Sequence, residues 1–203
     1  DEDGWGEMLV YERLNESSTV YKVSLFEANA DNSYTEVWFY QFASADIACG
    51  ERGLMVTDWD NDGFSEITAV MCTIDGVNNA YVWEWDGTDN GLPSTPTAEF
   101  DIARDTGGVV ALENNVQYLQ MDDDANLEMV LTHRGGNSTF LQILELSNSD
   151  LGSPVWNVEF TDDWIGAKNS GFGITDIDHD GHKEIIMWNE GSGDVRVYEN
   201  TGT

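Results

Sequence analysis

One motif recurs four times along this 203-residue chain, and it constrains the fold more tightly than any other feature. The segments are Asp1-Glu2-Asp3-Gly4-Trp5-Gly6-Glu7, Asp58 to Glu66, Gln120 to Glu128 and Asp176 to Glu184, which share the pattern D-x-D-x-D-G-x-x-E. Their closing residues Glu7, Glu66, Glu128 and Glu184 lie 59, 62 and 56 positions apart. A period of this size marks one supersecondary unit per repeat.

The segments between the acidic turns repeat too. Short runs of aromatic and β-branched residues are cut by Gly, Asn and Asp clusters, which is the signature of strands. Runs at 8–11, 20–26 and 37–42 come after the first turn; 67–73, 81–85 and a weaker one at 100–102 after the second; 129–132, 140–146 and 155–160 after the third. Further short strands at 54–57, 116–119 and 173–175 lead into the later turns, and 195–198 ends the pattern. Several runs are apolar on both faces, as in Ile67, Ala69 and Met71 alternating with Val70 and Cys72. A sheet with one wet face would alternate apolar with polar, so these sheets must be covered on both sides. The expected fold is all-β and β-propeller-type, with blades of four antiparallel strands. About three full blades and a partial fourth fit into one domain, 1–203, with repeats at 1–57, 58–119, 120–175 and 176–203. Such an array is a fragment of a longer protein, an open arc, or a ring completed by subunits whose unfinished blades pair across bare strand edges. Helical periodicity is nearly absent; the best stretch, 43–48, allows one or two turns at most.

The turns carry the chemistry. A hard cation such as Ca2+ takes six to eight oxygen ligands on a tight turn. This pattern offers side chains at positions one, three and five, a backbone carbonyl at seven and a carboxylate at nine, with Gly at six for the bend. The expected ligands are Asp58, Asp60, Asp62, the Phe64 carbonyl and Glu66 in the second turn. In the fourth they are Asp176, Asp178, Asp180, the His182 carbonyl and Glu184. The third turn offers Gln120, Asp122, Asp124, the Asn126 carbonyl and Glu128, and it is the weakest, because Gln120 replaces a carboxylate and Ala125 replaces the glycine. The first supplies Asp1, Asp3, Trp5 and Glu7 and lacks its opening residue, so residues are expected upstream. The motif thus allows up to four Ca2+ sites. An EF-hand is rejected, because its twelfth position is a bidentate Glu beside a helix, whereas here Ala69 and Met187 stand there within strands.

On these motifs the chain resembles the FG-GAP/VCBS repeat family, the integrin-α-like propellers of extracellular proteins. The resemblance covers essentially the whole chain. It implies calcium on one rim of a ring, usually of seven blades, with loops that bind protein or carbohydrate partners.

The charge narrows the partners. Asp and Glu number 39 against 8 Lys and Arg, a formal net charge of −31. So negative a surface repels phosphate backbones and anionic lipid, which excludes nucleic-acid binding and membrane-surface binding without a basic patch. No apolar run reaches the roughly 18 residues of a bilayer span. Cys49 and Cys72 form one bridge in an oxidising compartment or serve as buried apolar residues. Asn15 and Asn137 open glycosylation sequons. Trp83, Trp85, Trp156, Trp164 and Trp188 suit either sugar stacking or blade packing.

His133, His179 and His182 stand beside no nucleophile in a recognisable motif, and the many carboxylates single out no acid/base pair. The expectation is therefore a secreted or cell-surface, calcium-binding and non-catalytic module for adhesion or extracellular assembly. Its alternatives are a lectin-like propeller or, third, a polysaccharide lyase domain. For the last, the scarcity of Lys and Arg to hold an acidic polymer is unfavourable.

Overall fold

A computed structural model describes residues 6–14, 20–43, 47–73, 78–101, 111–122, 124, 126–135, 138–148, 155–165, 170–189 and 192–200. Two compact units divide the chain, Asp1–Ile102 and Ala103–Thr203. Each consists of two antiparallel sheets packed face to face.

In the first unit, β1 (Glu7–Arg13), β2 (Tyr21–Ala30) and β3 (Ser33–Gln41) form a three-stranded meander. A four-stranded meander comes next, built from β4 (Ile47–Thr57), β5 (Glu66–Thr73), β6 (Asn78–Glu84) and β7 (Ala98–Asp101). The two sheets meet through Tyr21, Val23, Trp38 and Phe42 on one side and Ile67, Ala69, Met71, Tyr81 and Trp83 on the other. Aromatic rings interlock there. Trp38 meets Trp83 edge to face at 5.5 Å, and Phe42 meets Tyr81 at 5.0 Å. The Trp38 indole donates to the Pro93 carbonyl at 3.0 Å, so its polar edge is satisfied while its body fills the seam.

The second unit repeats the plan. The strands β8 (Ala111–Leu119), β9 (Glu128–Gly135), β10 (Ser138–Asn148) and β11 (Val155–Ile165) form four-stranded order β11-β10-β9-β8. Beside them lie β12 (Ser170–Thr175), β13 (Glu184–Asn189) and β14 (Val195–Tyr198). Val130 and Leu141 pack against Phe172, Ile185 and Met187.

Two-sided apolarity is borne out. In β5 every residue from Glu66 to Met71 is buried, and in β9 so is every residue from Glu128 to Thr132. The all-β, antiparallel, blade-like architecture therefore arises from strands that need a partner on each face.

The structure departs from the sequence reading in two places. The turns 58–66, 120–128 and 176–184 each join the first two strands of a sheet, so 54–57, 116–119 and 173–175 open the sheet that comes after rather than close the repeat before. The stretch 43–48 is not a helical turn where it is described, for Ile47 and Ala48 belong to β4, and no helix occurs among the described residues. Cross-strand pairing with β5 decides the conformation there. In the same ladder the backbones of Cys49 and Cys72 stand opposite each other.

Of the tryptophans set aside for sugar stacking, Trp83 is fully buried in the seam and belongs to the core. Trp85 is half-buried, edge-on to Phe64 at 5.8 Å. Trp188 is 47% exposed and lies across Gly171, where an added Cβ would come within 2.4 Å of its ring. The side chains of Trp156 and Trp164 lie outside the described set, as do Asn15 and Asn137.

The seams predict a sharp contrast. Phe172→Ala should destabilise the protein by roughly 3–5 kcal/mol in urea unfolding, because the ring is 2% exposed and leaves a cavity between the sheets. Val195→Ala, at 63% exposure on β14, should change stability by no more than about 0.5 kcal/mol.

Candidate metal centres

The turn 58–66 leaves β4 and enters β5, and its backbone is wound around its own carboxylates. Asp58 accepts from the amides of Asp62 and Gly63, both at 3.1 Å, through its two oxygens. Asp60 accepts from Asp62 at 3.2 Å, and Asp62 from Phe64 at 2.8 Å. The turn needs two left-handed residues, Asn61 (φ 57°) at position four and Gly63 (φ 95°) at position six. Glycine is free to adopt that conformation and Asn does so more readily than other residues.

The turn 176–184, between β12 and β13, reproduces this. Asp176 accepts from Gly181 at 3.1 Å, Asp178 from Asp180 at 3.2 Å and Asp180 from His182 at 2.9 Å. His179 (φ 64°) and Gly181 (φ 100°) take the left-handed positions. His179 is thus a turn residue.

The glutamate at position nine is the structural key. Glu66, Glu128 and Glu184 are 0%, 1% and 1% exposed. Each uses Oε2 to accept the amide of position two: Trp59 at 2.5 Å, Met121 at 2.5 Å and Ile177 at 2.6 Å. In each the other oxygen, Oε1, is buried with no hydrogen-bond partner, and so is Asp176 Oδ1. A buried carboxylate oxygen without a donor is costly, and three at one repeat position call for a missing positive partner.

Ligand-capable oxygens converge there. Asp58, Asp60 and Asp62 each offer one within 4.8 Å of the others; so do Asp122, Asp124 and Glu128; and so do Asp178, Asp180, Glu184 and Glu199. These clusters could hold a metal ion. All lie at oxygen-only turns, which suits a hard cation. Of the predicted ligands, Asp58, Asp60 and Asp62 are brought together in the second turn and Asp178, Asp180 and Glu184 in the fourth, whereas Glu66 and Asp176 are not members of those clusters. Asp1, Asp3 and Trp5 lie outside the described residues and Glu7 is exposed at the start of β1. Glu199 is a member that the turn motif does not include.

Electrostatics report the same crowding. Burial first, then the charges of Asp60, Asp58 and Glu84, pushes the Glu66 carboxyl up to about 8, against a stabilising bond from the Trp59 amide. Burial likewise raises Glu128 to about 7, with Asp122, Asp124 and Glu145 adding to it. Glu84 is raised by burial and by Asp60 and Asp62.

The third turn is built differently. Asp122 still accepts from Asp124 at 3.0 Å and Asp124 from Asn126 at 2.6 Å. Gln120, at position one, turns its amide nitrogen inward and donates to the carbonyl of Asp124 and, at 2.8 Å, to that of Asn126. The latter is the position-seven carbonyl expected to bind the cation. Lys183 donates to the Gln120 carbonyl at 2.6 Å. An amide donor and an ammonium thus supply positive charge density to the backbone carbonyls of this turn.

Beside this turn lies a cleft of about 670 Å³ lined by Glu159, Phe160, Tyr198 and Glu199 among others. Phe160 meets Tyr198 edge-on at 5.8 Å, and Asp162 fixes the Tyr198 hydroxyl at 2.6 Å and Arg196 at 2.7 Å. Partial burial, then the neighbouring Glu145, pushes Glu159 up to about 7.

No protein-family model matches the chain, and no curated protein matches it. Among solved structures it is similar to the endo-arabinase from Bacteroides thetaiotaomicron VPI-5482, at 11% identity and a TM-score of 0.55, over 94% of this chain and 72% of that one. That likeness shows the fold, which is propeller-type, and no activity passes with it. It does correct one expectation: an enzyme carries this fold, so a propeller-type chain without a recognisable catalytic motif is no longer to be read as non-catalytic on that ground.

Proposed function

We propose that this chain is a calcium-binding, propeller-type repeat module of an extracellular protein, in which Ca2+ clamps the turn between the first two strands of a blade. The observation that carries the reading is the buried, unpartnered Oε1 of the position-nine glutamates, joined at Glu128 and Glu184 by converging aspartate oxygens. A dication at that point supplies the missing partner and cancels repulsions of about 1 kcal/mol per carboxylate pair at 4 Å in water, and about 4 at the dielectric of a protein surface. Oxygen-only ligands and a flexible turn fit Ca2+ better than Zn2+ or Cu2+, which seek nitrogen or sulfur.

In this reading the module presents blades in adhesion or extracellular assembly, with protein or carbohydrate partners and pairing between copies through unfinished blades. A carbohydrate ligand is the second reading, favoured by the aromatic and acidic lining of the cleft, Phe160 with Tyr198 and Glu159. Loss of glycan binding in Phe160→Ala, with an unchanged melt, supports it.

Calcium at about a hundred times its Kd adds roughly 2.7 kcal/mol per site. Chelation should therefore lower the melting temperature by about 5–10 °C in a scanning measurement, reversibly on restoring calcium. An unchanged melt after verified metal removal defeats the structural role.

The gap between loaded and stripped protein should depend on pH. The Glu66 carboxyl titrates at about 8 in the stripped fold against an ordinary value of 4.5. Between those values the stripped fold holds more protons than the unfolded chain, so its stability falls as pH rises through that window. Calcium competes with the same proton, so its stabilisation grows over the window. Melting curves of both forms from about pH 5 to about pH 8.5 should diverge; parallel curves count against cation binding at Glu66.

The third turn offers a gain-of-site test. Gln120→Asp removes the inward amide and restores the first carboxylate, and should add one calcium per chain in calorimetric titration.

A further inference from the structure

The turn motif leaves its cation short of oxygen. Positions one, three, five, seven and nine give five donors when each binds once, whereas Ca2+ takes six to eight. A candidate for the remainder sits on the next strand. In the ladders Glu7 pairs with Glu27, Glu66 with Glu84, and Glu128 with Glu145. In the last sheet Ile185 pairs with Tyr198, so one step further along the ladder Glu184 stands opposite Glu199. The same residue type therefore faces position nine in each of the four sheets. Directly opposite residues project their side chains to the same face, and like charges so placed are destabilising. Such a pair is relieved by a hydrogen-bond donor, a proton or a cation beside it.

Resting on the calcium reading above, the geometry assigns Glu84 and Glu199 as further ligands of the cations held by the turns 58–66 and 176–184. At the latter, Glu199 already has an oxygen within 4.8 Å of Asp178, Asp180 and Glu184, and Glu184 is the buried side chain whose Oε1 lacks a partner. At the former, Glu84 stands opposite Glu66, whose Oε1 is likewise buried and unpartnered.

The other two pairs show what the position does elsewhere. Glu145 accepts from the Asn126 amide at 3.1 Å, in the turn where Gln120 has already filled the position-seven carbonyl. Glu27 accepts from Asn90 at 3.4 Å. With Glu84 and Glu199 as ligands, each cation fastens three strands. It ties the β4–β5 turn to the end of β6, and the β12–β13 turn to the end of β14. The ion then locks a sheet rather than a hairpin.

Calcium titration of the intact, chelator-stripped chain by calorimetry tests this. The wild type should show two strong sites. Glu84→Gln should weaken one by roughly tenfold or more and leave the other as an internal reference, Glu199→Gln should do the converse, and Glu145→Gln should change neither. Each of the first two variants also removes a like-charge pair, so the stripped protein should melt higher while the calcium-loaded one melts lower. A merely structural glutamate would not give opposite signs. Glu199 is exposed, so its variant folds even where Glu84→Gln does not. Two wild-type sites with both variants within about twofold of the parent overturn the assignment and leave the turns as calcium sites. A wild type that binds no calcium overturns both.

Discussion

A single buried carboxylate organises each acidic turn. The glutamate at position nine lies at the first residue of a strand that is covered on both faces, and it is fully enclosed at Glu66, Glu128 and Glu184. One of its oxygens is spent on the turn's own backbone, which fixes where the turn sits relative to the strand. The other is buried and has nothing to accept. Removing an ionised carboxylate from water is unfavourable by several kcal/mol unless it is compensated, and a protein with so few cationic side chains has little to compensate it with. The deficit can be met by a proton or by a metal ion. The raised titration of Glu66 and Glu128 describes the first solution, and the convergence of aspartate oxygens describes the second.

That constraint reaches into the packing. Glu66 begins the strand whose Ile67, Ala69 and Met71 fill the seam of the first unit, and Glu184 begins the strand whose Ile185 and Met187 fill the seam of the second. A turn that shifted along the strand by one residue would send those side chains to the opposite face. The bond from the position-nine carboxylate to the turn and the seam packing therefore select the same register, and a local polar device supports a long-range apolar one. This agreement between levels is what a sequence needs to specify one structure.

Much of this is legible in the sequence, because turns and alternating strands are local. The D-x-D-x-D-G-x-x-E repeat, the strand runs and the two-sided apolarity each sit within a few consecutive residues. The assignment of 54–57, 116–119 and 173–175 to the next sheet is not legible, since hydrophobic patterning shows that a strand exists and not which neighbour it pairs with. Trp83 and Trp188 carry the same residue name, and only the seam distinguishes the buried ring from the exposed one. Glu84, Glu145 and Glu199 are hidden for a related reason. Their separation from position nine varies with the length of the hairpin between, so no fixed spacing betrays them, whereas strand register aligns them at once.

The third turn shows how little chemistry separates a metal site from a self-sufficient turn. It keeps the buried Glu128, the bond to position two, and aspartates at positions three and five. Alanine stands where the acidic turns have glycine, and the first residue changes character, from an acceptor to an amide that also donates, so that the Gln120 nitrogen reaches the carbonyls of Asp124 and Asn126. Those carbonyls belong to the stretch that would wrap a cation in the acidic turns, so the amide draws in the same backbone that an ion would. It does so with about one hydrogen bond's worth of energy per contact, far less than a dication among carboxylates supplies. On the calcium reading the exchange lessens the turn's dependence on an external ion and weakens the clamp, although Glu128 Oε1 is still left without a partner. On the same reading, withdrawing the cation would loosen the turns 58–66 and 176–184 more than the turn 120–128, and position one of each turn would set how far it depends on the ion.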